Sequence, residues 1–502
     1  MKNGVCLVLG AWLCLGQSAW AQTGASPPRL LVIPFENASR AARVYWLSEG
    51  SAVTLTDDLQ ALGMQAISRD DRLRAFERLR VPPITGLSHA TVIRLGQLVG
   101  AAQVIVGSFE LTGDALTVRA RAIQLDRGSM SPEMVERGTL ADLFAVYGRI
   151  ARRIVPQSRV SEAEMARAHP PLPAFEQYIK GVLATAPETQ VAFLTQTLRL
   201  DPSFHRARVS LWRLHSEAGE HLAALAIIRQ VPVSDRLGRE ARFMSALSFL
   251  NLGQYQEAFD TLIDLHAKSP DAALLNNLGI VQLRRPGGAD RPPTEYFRQA
   301  VEVDDADPDY FFNLGYALWL ERDLSGAINW LREAVRRNPA DDAAHYVLGV
   351  ALQASGSAAE AAREKELARQ LSSIYAEWEA TQRDANSVPP NLERLKTEID
   401  VAASFRVEEA VVATEQRDQR EVASFHLERG RRFFEEERDA EALAELRRTV
   451  FLSPYDAPAH VLIARIYLRT GRTSEAIDAL KIAVWSDPTN SEARALLDQV
   501  AQ

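Results

Sequence analysis

Two hydrophobic rhythms divide the chain. Up to about Val155 apolar residues come in short runs and strict alternations; from Phe175 onward they recur at helical spacing between Gly and Pro. Leu30-Leu31-Val32-Ile33-Pro34-Phe35 is continuous and apolar, which predicts a strand covered on both faces, with Pro34 placing its end near an edge. Leu47, Val53, Leu55, Leu59 and Leu62 predict a helix from Tyr45 that Gly63 stops. Met64 to Ser68 predicts a short strand, and Asp70 or Asp71 is expected to cap the helix carrying Leu73, Phe76 and Leu79. Pro82 and Pro83 open a loop, after which Ser88 is expected to cap a helix with Val92, Ile93, Leu95 and Val99. Gln103 to Leu111 predicts a third strand. In the next, Leu116, Val118, Ala120 and Ala122 alternate with Thr117, Arg119 and Arg121, so one face is expected to be wet. A helix at about Leu140 to Val155 closes a compact α/β unit.

The second rhythm is a repeat. Phe311, Leu314, Gly315, Leu318, Ala327, Ala334 and Pro339 are followed 34 positions later by His345, Leu348, Gly349, Leu352, Ala361, Ala368 and Ser373. Small residues at Gly315 and Ala327, and again at Gly349 and Ala361, let two helix axes approach, and Pro339 ends the unit. One hairpin of this size has too few core side chains to offset the entropy of ordering it, so stacking is compulsory. The pattern resembles the tetratricopeptide repeat, a helix-turn-helix unit that stacks into a superhelix.

Further units are marked by Phe175, Tyr178 and Gly181; by Leu211, Gly219 and Ala224; by Phe249, Gly253, Tyr255 and Ala258; and by Leu278-Gly279. The expected fold is an α/β N-terminal domain followed by an all-α superhelical solenoid. The domain covers 28–157 and a linker 158–172. Six units fill 173–375, the first two degenerate and the fourth interrupted by Arg285 to Pro293. A helical insert or connector at 376–422 precedes two units at 423–490 and a capping helix at 491–502.

Val32-Ile33-Pro34-Phe35-Glu36-Asn37, Trp46-Leu47-Ser48-Glu49-Gly50, Leu95-Gly96 and Gly100-Ala101-Ala102 before Val106-Gly107 make the first domain similar to the amino-terminal domain of TolB and to FlgO and CsgG-like envelope proteins. The resemblance covers about residues 29 to 127. It implies a periplasmic or outer-membrane-associated protein that contacts other envelope proteins. Asn37 is expected to turn the chain out of its strand, and Glu49 to sit on a solvated helix face.

The first 21 residues agree with export. Lys2 precedes an apolar run from Val5 to Leu15, and Ala19-Trp20-Ala21 offers a cleavage site before Gln22. The run is broken by Gly10 and falls short of the ~20 residues that span a bilayer. Cys6 and Cys14 both lie in this segment, so the mature chain is expected to hold no disulfide or thiolate site. A hydrophobic content of 47% with 24% charged residues is that of a folded soluble protein, and a net charge of -8 argues against nucleic-acid binding.

Candidate chemistry is sparse. There is no Gly-x-Ser-x-Gly, no phosphate loop and no His-Glu-x-x-His, and the histidines are scattered, so neither a metal nor a cofactor is expected. The tetratricopeptide resemblance implies instead that the first helix of each unit lines a concave groove. Laid on this register it selects Phe243, Phe312, Tyr316, Trp319 and Tyr346, an apolar and aromatic middle, and Arg431, Arg465 and Arg469, a basic end. Such residues suit a protein or peptide partner with an apolar face and an acidic end. The expected function is a non-enzymatic adaptor, peripherally associated with the outer membrane through other proteins. The alternatives are a subunit that self-associates into homo-oligomers, and an enzyme with a pocket at the ends of the strands starting at Leu30 and Gln103.

Overall fold

The computed structural model describes residues 29–500 except 40–41, 82–86, 126–127, 159, 162–163, 166–168, 286–290, 382–386, 401–422, 454–455 and 488. The segment 1–21, the loop at Pro82 and Pro83, most of the insertion after Arg285, and 401–422 of the connector therefore lie outside the described residues.

A mixed sheet organises the first domain. Its strands are β1 (Arg29–Val32), β2 (Glu36–Asn37), β3 (Gln65–Ala66), β4 (Gln103–Thr112), β5 (Ala115–Gln124), β6 (Ser129–Met130) and β7 (Met134–Thr139). The order is β3-β1-β4-β5-β6, with β2 beside β4 and β7 beside β5. The pairs of β1 with β3 and β4 are parallel, and those of β5 with β4, β6 and β7 antiparallel. The alternation of β1 explains its unbroken apolar run: Leu30 and Val32 enter a core beneath α1 (Leu47–Ala61) and α4 (Leu143–Ile154). Leu31 and Ile33 enter a second core beneath α2 (Arg69–Arg78) and α3 (His89–Leu98).

Three local expectations are corrected. Ser68, not Asp70 or Asp71, caps α2, its hydroxyl accepting the Asp71 amide at 3.1 Å, because the cap must precede the first helical residue. Asn37 does not leave the sheet: it belongs to β2, which resumes after Pro34, and pairs with Phe109 of β4. Glu49 is buried, with 5% exposure, because the repeats cover the outer side of α1. Its carboxylate pairs with Arg72, and with Arg69 at 2.8 Å.

The remaining chain folds into helical hairpins. The first six are α5 and α6 (Leu172–Leu183, Pro187–Leu200), α7 and α8 (His205–Glu217, His221–Ile228), α9 and α10 (Gly238–Asn251, Tyr255–Lys268), α11 and α12 (Ala272–Arg284, Pro293–Val303), α13 and α14 (Pro308–Leu320, Leu324–Arg337), and α15 and α16 (Asp342–Ala354, Ala358–Leu371). Then come α17 (Ser373–Thr381), a helix over 423–435, and Asp439–Leu452, Ala457–Arg469, Thr473–Ser486 and Ser491–Val500. The small residues act as their spacing requires: a Cβ on Gly315 would stand 2.7 Å from Leu331 Cγ.

The first domain and the first two hairpins share one core, with Trp46 and Phe144 edge-on to Phe175 at 6.1 and 5.3 Å. His169, in the segment expected to be a linker, stacks on Phe144 and bonds Asp58 at 2.7 Å. Hairpins three to six share another core. No helix among the described residues is long and apolar enough to cross a membrane.

Candidate functional site

The first helices of hairpins four, five and six begin alike. Asp271, Asp307 and Asp341 are their N-caps, accepting the amides of Ala273, Asp309 and Ala344 at 2.7, 3.0 and 2.9 Å. Six residues after the first two caps stand Asn277 and Asn313, which with Asn276 are buried among apolar neighbours. A buried side-chain amide must find partners, and within their own helices these three make only one such bond among the described residues, from Asn276 Nδ2 to Asn277 Oδ1 at 3.1 Å.

The partner is a stretch of the same chain. Residues 387–400, expected to lie in a helical insert or connector, form neither helix nor strand but cross the first helices from hairpin six back to hairpin three. Asn313 Nδ2 donates to the Arg394 carbonyl at 2.9 Å while its Oδ1 accepts the Arg394 amide at 2.8 Å. Asn277 treats Lys396 the same way, donating at 2.8 Å and accepting at 2.9 Å. Asn276 also donates to the Arg394 carbonyl at 2.9 Å, and Asn313 donates to Asn276 at 2.7 Å. Alternate residues of an extended chain present N–H and C=O to the same side, so the asparagines stand in for a neighbouring strand.

The side chains of this strap add charge. Arg394 pairs with Asp309 at 2.8 Å and with Asp341. Lys396 reaches Asp307 and Asp309 at 2.8 and 2.7 Å. Asp307 and Asp341 therefore serve as helix caps and cation receptors at once. At its ends the strap is held by Arg284 to Glu393 at 3.0 Å, by Arg74 to both Glu398 oxygens at 2.6 and 2.7 Å, and by Asp271 Oδ2 accepting the Asp400 amide at 2.9 Å. Burial by itself would push the Asp309 carboxyl up, but Lys396 and Arg394 outweigh it and hold it below the usual carboxylate range.

The aromatic residues selected from the sequence are not an open apolar surface. Phe243 and Phe312 are fully buried, Tyr346 nearly so, and Tyr316 and Trp319 are only 4% and 6% exposed. Two of them nonetheless meet the strap, and a third lies within reach of its charge. Arg394 lies 3.9 Å over the Phe312 ring, and the Tyr346 hydroxyl donates to the Ser387 carbonyl at 3.4 Å. Burial, with Glu393 adding to it, raises the Tyr316 hydroxyl to about 12. Phe243 and Trp319 belong to the repeat core.

Arg431, Arg465 and Arg469 are partly or well exposed, yet each is paired: with Glu428 at 2.9 Å, with Glu492 at 2.7 Å and with Asp439. The end expected to be basic is thereby neutralised, because each first helix lies beside an acidic side chain. The polar character of the middle was missed, and its signal was legible: Asn276-Asn277 and Asn313 interrupt apolar runs just ahead of Leu278-Gly279 and Leu314-Gly315.

A cleft of about 380 Å³ lies where α1 and α2 meet the first repeats. Three ion pairs stand in or beside it, Asp57 with Arg206, Asp70 with Arg213 and Arg69 with Glu49, and Arg72 and Arg236 also line it, so that arginines outnumber carboxylates. Among the described residues no group of three or more His, Cys, Asp or Glu side chains is placed to hold a metal ion.

Family models described as tetratricopeptide repeat match residues 240–272, 295–342 and 433–500. No curated protein matches the chain significantly. Among solved structures, YrrB, described as a tetratricopeptide protein with an unusual peptide-binding site, is 20% identical with a TM-score of 0.29, over 38% of this chain and 98% of its own. The pilF protein of Pseudomonas aeruginosa is 20% identical with a TM-score of 0.33, over 39% and 90%. MamA of Desulfovibrio magneticus is 18% identical with a TM-score of 0.28, over 36% and 97%. Hairpins at these three stretches are thus tetratricopeptide repeats, units that in general form non-catalytic scaffolds for contacts between proteins.

Proposed function

We propose that the protein is a non-enzymatic adaptor whose repeats three to six hold an extended segment of polypeptide along their first helices. The observation that carries this reading is the pairing of Asn277 and Asn313 with both backbone groups of Lys396 and Arg394. Recognition through main-chain groups accepts any extended segment, and side-chain pockets then select among sequences.

The adaptor acts in the bacterial envelope. This part rests on the export-like residues 1–21 and on the likeness of the first domain to TolB, FlgO and CsgG-like proteins, which would hold a second envelope protein. Photoreactive residues at Tyr316, beside the strap, and at Arg465, on the exposed C-terminal repeats, test the reading in the full chain. A discrete partner cross-linked at either position is the expected result. Exclusive self-cross-links at both would instead establish a self-associating subunit.

A further inference from the structure

The strap and its receptor are built to different standards. Asn276, Asn277, Asn313 and Asp341 are buried, whereas none of residues 387–400 is. The strap lies on the repeats through hydrogen bonds and ion pairs, with Leu392, Leu395 and Ile399 only partly buried against the repeat core. If it left, Asp307, Asp309 and Asp341 would face one another without Arg394 and Lys396. A site with three carboxylates and three inward-facing amides is complete only with a polypeptide in it.

We propose that residues 387–400 are an internal pseudo-ligand, displaced when an extended segment of a partner protein carrying two cations two residues apart, with an apolar residue between them, takes the same place. This rests on the reading of these repeats as a peptide site and adds its sequence preference and its control. The spacing follows from the geometry: the backbone of residue 394 sits on Asn313 and that of 396 on Asn277, which brings their side chains to Asp341 and Asp309, and to Asp307 and Asp309. Leu395 supplies the apolar residue between. The tethered strap competes at an effective concentration on the order of millimolar, so the free chain keeps the site closed against weak ligands. Since the strap also holds Arg74 of the first domain through Glu398, its displacement frees α2 from that contact.

The test uses the full-length chain and a fluorescent peptide with the sequence of residues 387–400, read by anisotropy. In R394E/K396E the strap's two cations are replaced by carboxylates that Asp307, Asp309 and Asp341 repel, opening the site. The peptide is expected to bind this variant at least about 30-fold more tightly than the wild type, because the competent fraction rises. A peptide with Glu at both cationic positions should bind neither. Adding N277A and N313A to the opened variant should abolish binding.

R394G/K396G provides a second opened form should charge reversal disturb folding, with circular dichroism checking each. Equal affinity of wild type and opened variants, or no binding to a folded opened variant, overturns the proposal and makes the strap a fixed part of the fold. Size that increases with concentration in the wild type would assign the occupant to a second copy and overturn it as well. Cross-linking of a partner at Arg465 would in those cases leave the adaptor reading standing.

Discussion

Asn313→Ala probes the strap most directly. The side chain is fully buried and makes three hydrogen bonds, two of them to the backbone of Arg394 and one to Asn276. The Arg394 carbonyl keeps Asn276 as a donor, but its amide is left unpaired while the strap stays docked, and the Asn276 oxygen loses its donor. At about 0.5–1.5 kcal/mol net for each bond to the strap, plus the cost of the orphaned groups, docking weakens by about 2–3 kcal/mol. That shifts the docking equilibrium by about 30- to 150-fold.

Hydrogen exchange followed by mass spectrometry reads this as faster exchange in peptides spanning 387–400, while amides of hairpins one and two are unchanged. The strap's ion pairs persist in this variant, so its release is partial. Exchange within about threefold of the wild type would refute the reasoning and mean that ion pairs, not the asparagines, hold the backbone.

Three further outcomes are expected. Gly315→Ala forces a Cβ to 2.7 Å from Leu331 Cγ and 3.1 Å from the Leu331 backbone nitrogen, so overpacking of about 1–3 kcal/mol should exceed the gain in helix propensity and lower the melting temperature; an increase would contradict the close approach. Glu49→Ala leaves the buried Arg72 guanidinium without its carboxylate and should cost about 3–5 kcal/mol in a denaturant titration, against under about 1 kcal/mol if Glu49 were on a solvated face. Because the Asp309 carboxyl is held below its ordinary value when Lys396 and Arg394 are docked, its contribution to docking is full above the ordinary carboxylate pKa of about 4 and disappears as pH falls through the lower docked value. Protection of the strap, corrected for intrinsic exchange rates, should fall on acidification, and Asp309→Asn should flatten that dependence.

Local pattern was enough wherever the physics is local. The 34-residue period, the small residues at Gly315 and Gly349 and the apolar alternation of β5 each describe a contact between neighbours in sequence or in adjacent units, and hairpins of the expected kind stand in those places. The cap of α2 fell to Ser68 and not to Asp70 or Asp71 because a cap is decided by which residue first becomes helical, and by composition the acidic pair two residues on was an equally good candidate.

Long-range contacts were decided by the tertiary structure. Glu49 carries the mark of a surface residue, and only the packing of α1 between the sheet and the first repeats makes it a buried counter-charge for Arg72. The residues from 387 to 400 have no periodicity because they form no element of their own. Their conformation is imposed by Asn276, Asn277 and Asn313 more than 80 residues away, whose own polarity in an apolar run was visible in the sequence but whose partner was not. Sequence determined the stacked repeats, since each unit's pattern serves its neighbours; tertiary structure decided what lies across them, since an extended chain is shaped by whatever holds its backbone.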